Sequence, residues 1–397
     1  MTLELSAAIS NAYRDAAKSA CPTWLSMRLA RVETECDEVR SYYLEPLENK
    51  PLPRFAAGQH VVVAPDRTDS PAEGNEQVHF KPRCYTLSAP PHPRYWRITV
   101  KQSTVKEARG STSRWLHETA TVGMPLKISA PRGEFTLASA DARAPLALIA
   151  AGIGITPAYT IAAAATDARQ RPIWLFLQTT SWAQTPLRDD LTRLALANPQ
   201  LHLTVAFSRP CPTSQRPREL AEGFNNIHFL EGRLHPEQVA AAVPLPWQSH
   251  CYICGPTTWM EQICSALPTY GIDGGRIHTE SFGGVLHSQE TVAARDGERA
   301  ENTPTQPAPE SGTACRVTLA DAGREILYRQ NDGSWLDQLQ RQGAEMTGGC
   351  RAGSCGSCIT RVLKGNVRSR SSGSQTPPEG WVLPCVAEPE GDVTLQL

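Results

Sequence analysis

The residues with the most chemistry in this chain are four cysteines near its end. Cys350, Cys355 and Cys358 stand at C-x4-C-x2-C spacing, and Cys385 follows after 26 intervening residues. Four thiolates so placed can converge on two irons and hold a [2Fe–2S] cluster. A backbone wrapped round a cluster needs permissive dihedrals, and Gly348, Gly349, Gly353 and Gly356 supply them. Ser354 and Ser357 are small enough to avoid the cluster. Two other chemistries use four cysteines. Zinc is usually held by two close pairs, not by a group of three facing one. A disulfide framework belongs to oxidising compartments. The spacing fits iron–sulfur better than either.

From Cys315 to Leu397 the chain resembles a plant-type ferredoxin domain, which implies an α+β (β-grasp) fold. The gap between the third and fourth cysteines is slightly short for that family, which shortens a surface loop. A ferredoxin needs an electron source, and the rest of the chain reads as one.

Arg83-Cys84-Tyr85-Thr86-Leu87-Ser88 closes a strand-like run. Its R-x-Y-[ST] pattern resembles the flavin-binding strand of the ferredoxin–NADP reductase superfamily. The resemblance implies that Arg83 reaches a flavin phosphate, Tyr85 packs on the isoalloxazine, and the Thr86 hydroxyl sits near N5. Arginine is a bidentate phosphate partner, and tyrosine offers an aromatic face with a polar tip. Gly110-Ser111-Thr112-Ser113, with Val122 to Phe135 after it, resembles the second flavin block of the flavohaemoglobin reductase module. There a Gly-x-x-Ser at a helix start holds the flavin diphosphate, so Gly110, Ser111 and Ser113 are expected to bind FAD rather than FMN.

Gly152-Ile153-Gly154-Ile155-Thr156-Pro157 follows an apolar strand and opens a helix, as a pyrophosphate loop does. It is not a G-x-G-x-x-G fingerprint. It resembles the superfamily's G-x-G-x-T-P loop, which assigns Gly152, Gly154, Thr156 and Pro157 to NAD(P)H. The resemblance also places Cys254-Gly255-Pro256 where nicotinamide approaches flavin, a position that demands a small polarizable side chain. Cys251 makes a C-x2-C pair with Cys254, but residues three apart on a strand face opposite sides. Glu280 and Phe282 match the pair that closes over the flavin in related modules, and two-residue spacing in extended chain puts them on one face. Ser208, Arg209, Arg216 and Arg218 follow the strand where a ribose site belongs, with no acid before Glu219. That leans toward NADPH. His60, His79 and His117 show no metal spacing and are expected to be structural or exposed.

The elements that must position these residues fall into blocks. Strand-like runs at Leu25–Val32, Glu38–Leu44, Gly58–Ala64, Arg83–Leu87 and Tyr95–Val100 predict an antiparallel β-barrel, with one helix over Ser111–Glu118. From Ala147 to Leu267 strands alternate with helices, which predicts a doubly wound α/β parallel sheet. Residues 284–312 are rich in Pro, Gln, Glu and Thr and read as a solvated linker. The expected domains are an N-terminal extension with a short helix (1–26), an FAD barrel (27–142), an NAD(P) domain (143–284), a linker (285–312) and a [2Fe–2S] domain (313–397).

A net charge of −1 over 397 residues argues against a general nucleic-acid binder. The eight cysteines outside the motif are scattered, as in a reducing cytoplasm. No apolar run reaches membrane-span length, and the first residues carry no basic signal-peptide region, so a cytoplasmic protein is expected. The resemblance implies an oxidoreductase passing electrons from NAD(P)H through FAD and [2Fe–2S] to a partner oxygenase, hydroxylase or desaturase. Thr86, Cys254 and Glu280 are its expected catalytic residues. A partner bound to a membrane is compatible with this. The alternatives are a haem-type or hybrid-cluster acceptor, and a redox sensor with little turnover.

Overall fold

The computed structural model describes residues 24–48, 50–65, 82–103, 111–137, 143–168, 171–210, 225–244, 246–282, 314–330, 332–344, 346, 348, 351, 353, 356, 358–370 and 377–397. The expected N-terminal helix and the linker lie outside them. The chain divides into two compact units, 1–284 and 285–397.

The first unit opens with six strands: β1 Trp24–Cys36, β2 Val39–Pro46, β3 His60–Pro65, β4 Arg83–Thr86, β5 Trp96–Lys101 and β6 Pro125–Ser129. All pair antiparallel, in the order β4-β3-β6-β1-β2-β5. The two edge strands meet at the bridge between Leu87 and Ile98 and at Ser88 N–H to Arg97 O, 2.8 Å. The sheet is therefore barrel-like. Its inward face carries Leu29, Tyr42, Leu44, Val61, Val63, Trp96 and Ile98, the alternate residues that period two selects. Helix α1, Thr112–Glu118, packs Leu116 into that core. Ser111 occupies its N-cap position, yet among the described residues its hydroxyl makes no capping bond.

A parallel sheet follows. Its strands are β7 Leu146–Ala151, β8 Ile173–Thr179, β9 Leu201–Phe207, β10 Ile227–Glu231, β11 His250–Cys254 and β12 Ile277–Glu280, in the order β10-β9-β8-β7-β11-β12. Helices α2 Ile155–Ala168, α3 Arg188–Ala197, α4 Pro236–Ala242 and α5 Thr257–Ala266 alternate with them. Leu146–Ala151 is buried along its whole length, as a central strand covered on both faces must be. Strand order reverses between β7 and β11, and ligands of such sheets bind at that switch point.

The barrel and the parallel sheet are joined by buried polar contacts. Arg97 on β5 donates to Asp190 on α3 at 2.6 Å and to the Ser88 carbonyl. The Leu187 amide, in a left-handed residue at φ 55°, donates to Glu35 on β1 at 3.1 Å. Gly58, at φ 95°, packs so tightly on the Phe135 carbonyl that no side chain fits there.

In the second unit, β13 Ala314–Leu319, β14 Arg324–Arg329, β15 Thr360–Lys364, β17 Trp381–Val382 and β19 Val393–Gln396 form one mixed sheet, ordered β14-β13-β19-β15-β17. Its centre is the parallel pair β13–β19. β16 Val367–Ser369 and β18 Ala387–Pro389 form a small second sheet. Helix α6, Trp335–Arg341, buries Trp335 and Leu339 against the first. Among the described residues, no helix is long and apolar enough to cross a membrane.

Removing Asp190 leaves Arg97 buried without its carboxylate, a loss of about 3–5 kcal/mol. Asp190→Ala should therefore lower the urea midpoint of the first unit, and Arg97→Met with Asp190→Leu should recover much of it. A midpoint unchanged by Asp190→Ala would show that the pair does not hold the two sheets together.

Candidate functional site

Two strand pairs supply the central side chains. In the barrel, Thr86 on β4 stands opposite His60 on β3, so both project from one face. In the parallel sheet, Cys254 on β11 lies beside Glu280 on β12. The two pairs meet where His60 Nδ1 comes within 3.4 Å of Glu280 Oε1. Thr86, His60, Cys254 and Glu280 are all at least nine-tenths buried.

Several polar atoms here have no hydrogen-bond partner among the described residues: the Thr86 hydroxyl, both ring nitrogens of His60 and Glu280 Oε2. The Tyr85 hydroxyl, on the opposite face of β4, has none there either. Buried polar groups are normally paired, so such a group of orphans calls for a ligand with hydrogen-bonding edges. An isoalloxazine has such edges, and the residues fit it. Burial pushes the Tyr85 phenol well above its usual range, so it stays a neutral donor. Burial, and then Glu280, push the Cys254 thiol well up. Cys254 is thus a neutral, compact wall rather than a nucleophile.

The switch point of the parallel sheet lies beside these residues. Gly152, at φ 54°, turns the chain out of β7. Gly154 then packs against the Cys254 carbonyl, where a Cβ would collide with it. Thr156 is buried and its hydroxyl donates to the Ile153 carbonyl at 3.0 Å, which locks the loop. Pro157 sits in the first turn of α2, where a missing amide costs nothing. Gly255 packs on Trp259 and Ala151, and Pro256 precedes α5 as its N-cap residue. The two glycine loops thus lie side by side at one end of the sheet.

Other expected residues sit further out. Arg83 lies on β4, on the same face as Tyr85. The Ser111 and Ser113 hydroxyls are 3.1 Å apart at the start of α1. Ser208 and Arg209 are exposed just past β9, their amides held by the carbonyls of Thr179 and Thr180. Gly110, Arg216, Arg218 and His79 lie outside the described residues. β12 ends at Glu280, which is 7% exposed, and Phe282 lies two residues beyond the strand end and is 43% exposed. His117 is structural, with Nε2 on the Val100 carbonyl at 2.9 Å. His60 is neither exposed nor remote from the chemistry. Its placement depends on strand register, which no local pattern announces.

In the second unit, Cys358 and Cys385 are buried with sulfurs 3.2 Å apart. That is beyond a disulfide bond of about 2.05 Å and close enough for two ligands of one metal centre. Cys350 and Cys355 lie outside the described residues. Arg351, Gly353 and Gly356 all have φ between 61° and 74°, so the chain winds repeatedly through the left-handed region. Gly348 serves space instead: a Cβ would come within 2.7 Å of Leu336. Arg351 donates to Asp337 and, at 3.0 Å, to Gln340, both on α6. Its side chain clamps the loop to the helix and is only 19% exposed.

Two family models and several known proteins match parts of this chain. Residues 317–390 match the 2Fe-2S iron-sulfur cluster binding domain, and residues 148–265 match the oxidoreductase NAD-binding domain. A flavohemoprotein of Rhodopirellula baltica is 31% identical over 253 residues, 63% of this chain and 58% of that protein. The chain thus spans under two thirds of that relative. One component of the 1,2-phenylacetyl-CoA epoxidase of Escherichia coli is 28% identical over 382 residues, 92% of this chain and 95% of that one. The solved structure of phthalate dioxygenase reductase shares the fold, with a TM-score of 0.57 at 22% identity over 94% of this chain and 98% of that one.

Gly154→Ala should cost about 1–3 kcal/mol, because the Cys254 carbonyl cannot step aside. Gly152→Ala, in open space, should cost only backbone strain, up to about 1 kcal/mol. Thermal unfolding of both variants compares them, and equal losses would remove the close approach as the reason for the second glycine.

Proposed function

We infer, for a chain that belongs to the ferredoxin–NADP reductase superfamily and ends in a 2Fe-2S iron-sulfur cluster binding domain, an NAD(P)H-dependent reductase that feeds a partner oxygenase, hydroxylase or desaturase. The observation that carries this reading is the meeting of the Thr86–His60 and Cys254–Glu280 pairs beside the switch point of a parallel sheet. A hydride donor bound at the glycine loops and an acceptor bound on β4 would share that cleft.

Arg83, Tyr85, Thr86, Gly110, Ser111, Ser113 and Phe282 are assigned to FAD. Gly152, Gly154, Thr156, Pro157, Gly255 and Pro256 are assigned to the nucleotide, with Ser208, Arg209 and Arg216 at its ribose. Cys350, Cys355, Cys358 and Cys385 are assigned to the cluster. Bound FAD would supply the conversion between a two-electron hydride and single electrons. The chain's own residues orient it. Thr86 offers a hydroxyl from a buried strand end, Cys254 leaves room for a flat ring to approach, and Glu280 is placed to take a proton. The working domains are 27–142 for FAD, 143–284 for NAD(P)H and 313–397 for the cluster, acting in the cytoplasm. The near full-length likeness to an epoxidase component favours an oxygenase partner over a haem-type acceptor.

The purified protein should carry one flavin and two irons per chain, read by mass and metal analysis. FMN would overturn the FAD assignment, and zinc in place of iron would overturn the electron path. Cys385→Ser should lose the cluster, because an alkoxide replaces a thiolate poorly at iron. It should still reduce ferricyanide and lose most cytochrome c reduction. Full cytochrome c activity in that variant would show that electrons leave without the cluster.

Arg209→Ala should raise KM for NADPH about tenfold, the size of a lost charge-assisted hydrogen bond, with little change for NADH. Equal effects on both nucleotides would mean that Arg209 does not read a 2′-phosphate.

A further inference from the structure

We propose that His60 and Glu280 share one proton, with His60 the positioning residue that holds the Glu280 carboxylate in the cleft. The proposal rests on reading that cleft as the hydride site, and adds a residue to it.

Three observations carry it. First, both side chains are buried, at 3% and 7% exposure, and they face each other across the junction of two sheets at 3.4 Å. That distance is an ion-pair contact, a little long for a hydrogen bond. Second, neither ring nitrogen of His60 nor Glu280 Oε2 has a hydrogen-bond partner among the described residues. A carboxylate buried alone is costly, and a proton shared with a neighbouring base offsets that cost. Third, both backbones are fixed. His60 N–H donates to the Arg132 carbonyl at 2.9 Å and Arg132 N–H returns the bond at 2.8 Å. Gly133, at φ 104°, presses on the imidazole, where a Cβ would lie 2.8 Å from Nδ1. Glu280 is held by the parallel pairing of β12 with β11.

The surroundings leave His60 as the partner of Glu280. β4 presents Thr86, which does not titrate in this range. β11 presents Cys254, whose thiol is kept neutral by burial and then by Glu280. The segment after β6 presents the bare backbone of Gly133, between Arg132 and Glu134. His278 lies two residues before Glu280 and is occupied elsewhere, stacked on Tyr252 and 3.1 Å from His250.

The arrangement has a chemical use. Oxidation of NAD(P)H to NAD(P)+ releases two electrons and one proton. An iron–sulfur cluster takes the electrons only, so the proton needs a base in the cleft. A Glu280 carboxylate kept ionised by a protonated His60 is that base. With the cofactors bound, its oxygen would take that proton, and the cluster would supply the one-electron acceptor.

The test reads the pair directly, without turnover. In the full chain labelled with 15N-histidine, His60 is identified among the 10 histidines by the signal lost in His60→Gln. Its titration is then followed in the parent protein and in Glu280→Gln. The pair predicts that His60 keeps its proton to higher pH in the parent, by about one unit or more, a tenfold difference in proton affinity. Should Glu280→Gln not fold, the Glu280 carboxyl 13C signal in His60→Gln gives the reverse reading and should titrate at higher pH than in the parent. A His60 titration unmoved by Glu280→Gln, or a Glu280 signal unmoved by His60→Gln, overturns the proposal. Flavin content is measured on the same samples. A parent protein without flavin would overturn the hydride-site reading, while the titration still decides whether the pair exists.

Discussion

Arg97 is a cation buried between two sheets. A guanidinium taken out of water must meet a carboxylate and fill its remaining donors, or the fold pays for the charge. Asp190 from α3 and the Ser88 carbonyl take its two terminal nitrogens, the faces of Tyr43 and Tyr159 lie 5.9 and 6.0 Å away, and its Nε has no partner among the described residues. These partners come from both the barrel and the parallel sheet, so pairing the charge fixes one against the other. Glu35 does the same from β1, accepting from the Leu187 amide and from Ser41. These contacts help hold the His60–Thr86 pair of the barrel against the Cys254–Glu280 pair of the parallel sheet.

Within that frame, close backbone approach does the rest. Gly154 lets the loop after β7 rest on the end of β11, and Gly58 lets the barrel rest on the Phe135 carbonyl. Each glycine is there for what an added methyl would hit. The cluster loop follows a different rule. Among the described residues it has three in the left-handed region, and one of them is Arg351, a residue that takes this conformation at a cost of about 1–2 kcal/mol. Its side chain pairs with Asp337 and Gln340 on α6. Arg351 therefore braces this segment against α6.

The chain's local patterns carried a great deal. Cysteine spacing marked the iron–sulfur domain, because metal ligands must come from short, sharply turned segments. The unbroken apolar run Ala147–Ala151 marked the central strand, observed as Leu146–Ala151, because only a strand covered on both faces needs one. Alternation predicted most of the barrel strands, though not β6.

Sequence by itself thus determined the order of the modules, the four-cysteine motif and the two glycine loops, each read from segments of a few residues. Tertiary structure alone decided what those segments face. His60 meets Glu280 across 220 positions of chain, and Arg97 meets Asp190 across 93. Period-two and period-3.6 patterns report which side of an element is buried. They hold nothing about which buried side chain lies opposite, because strand register and sheet contact are set by the packing of the whole core.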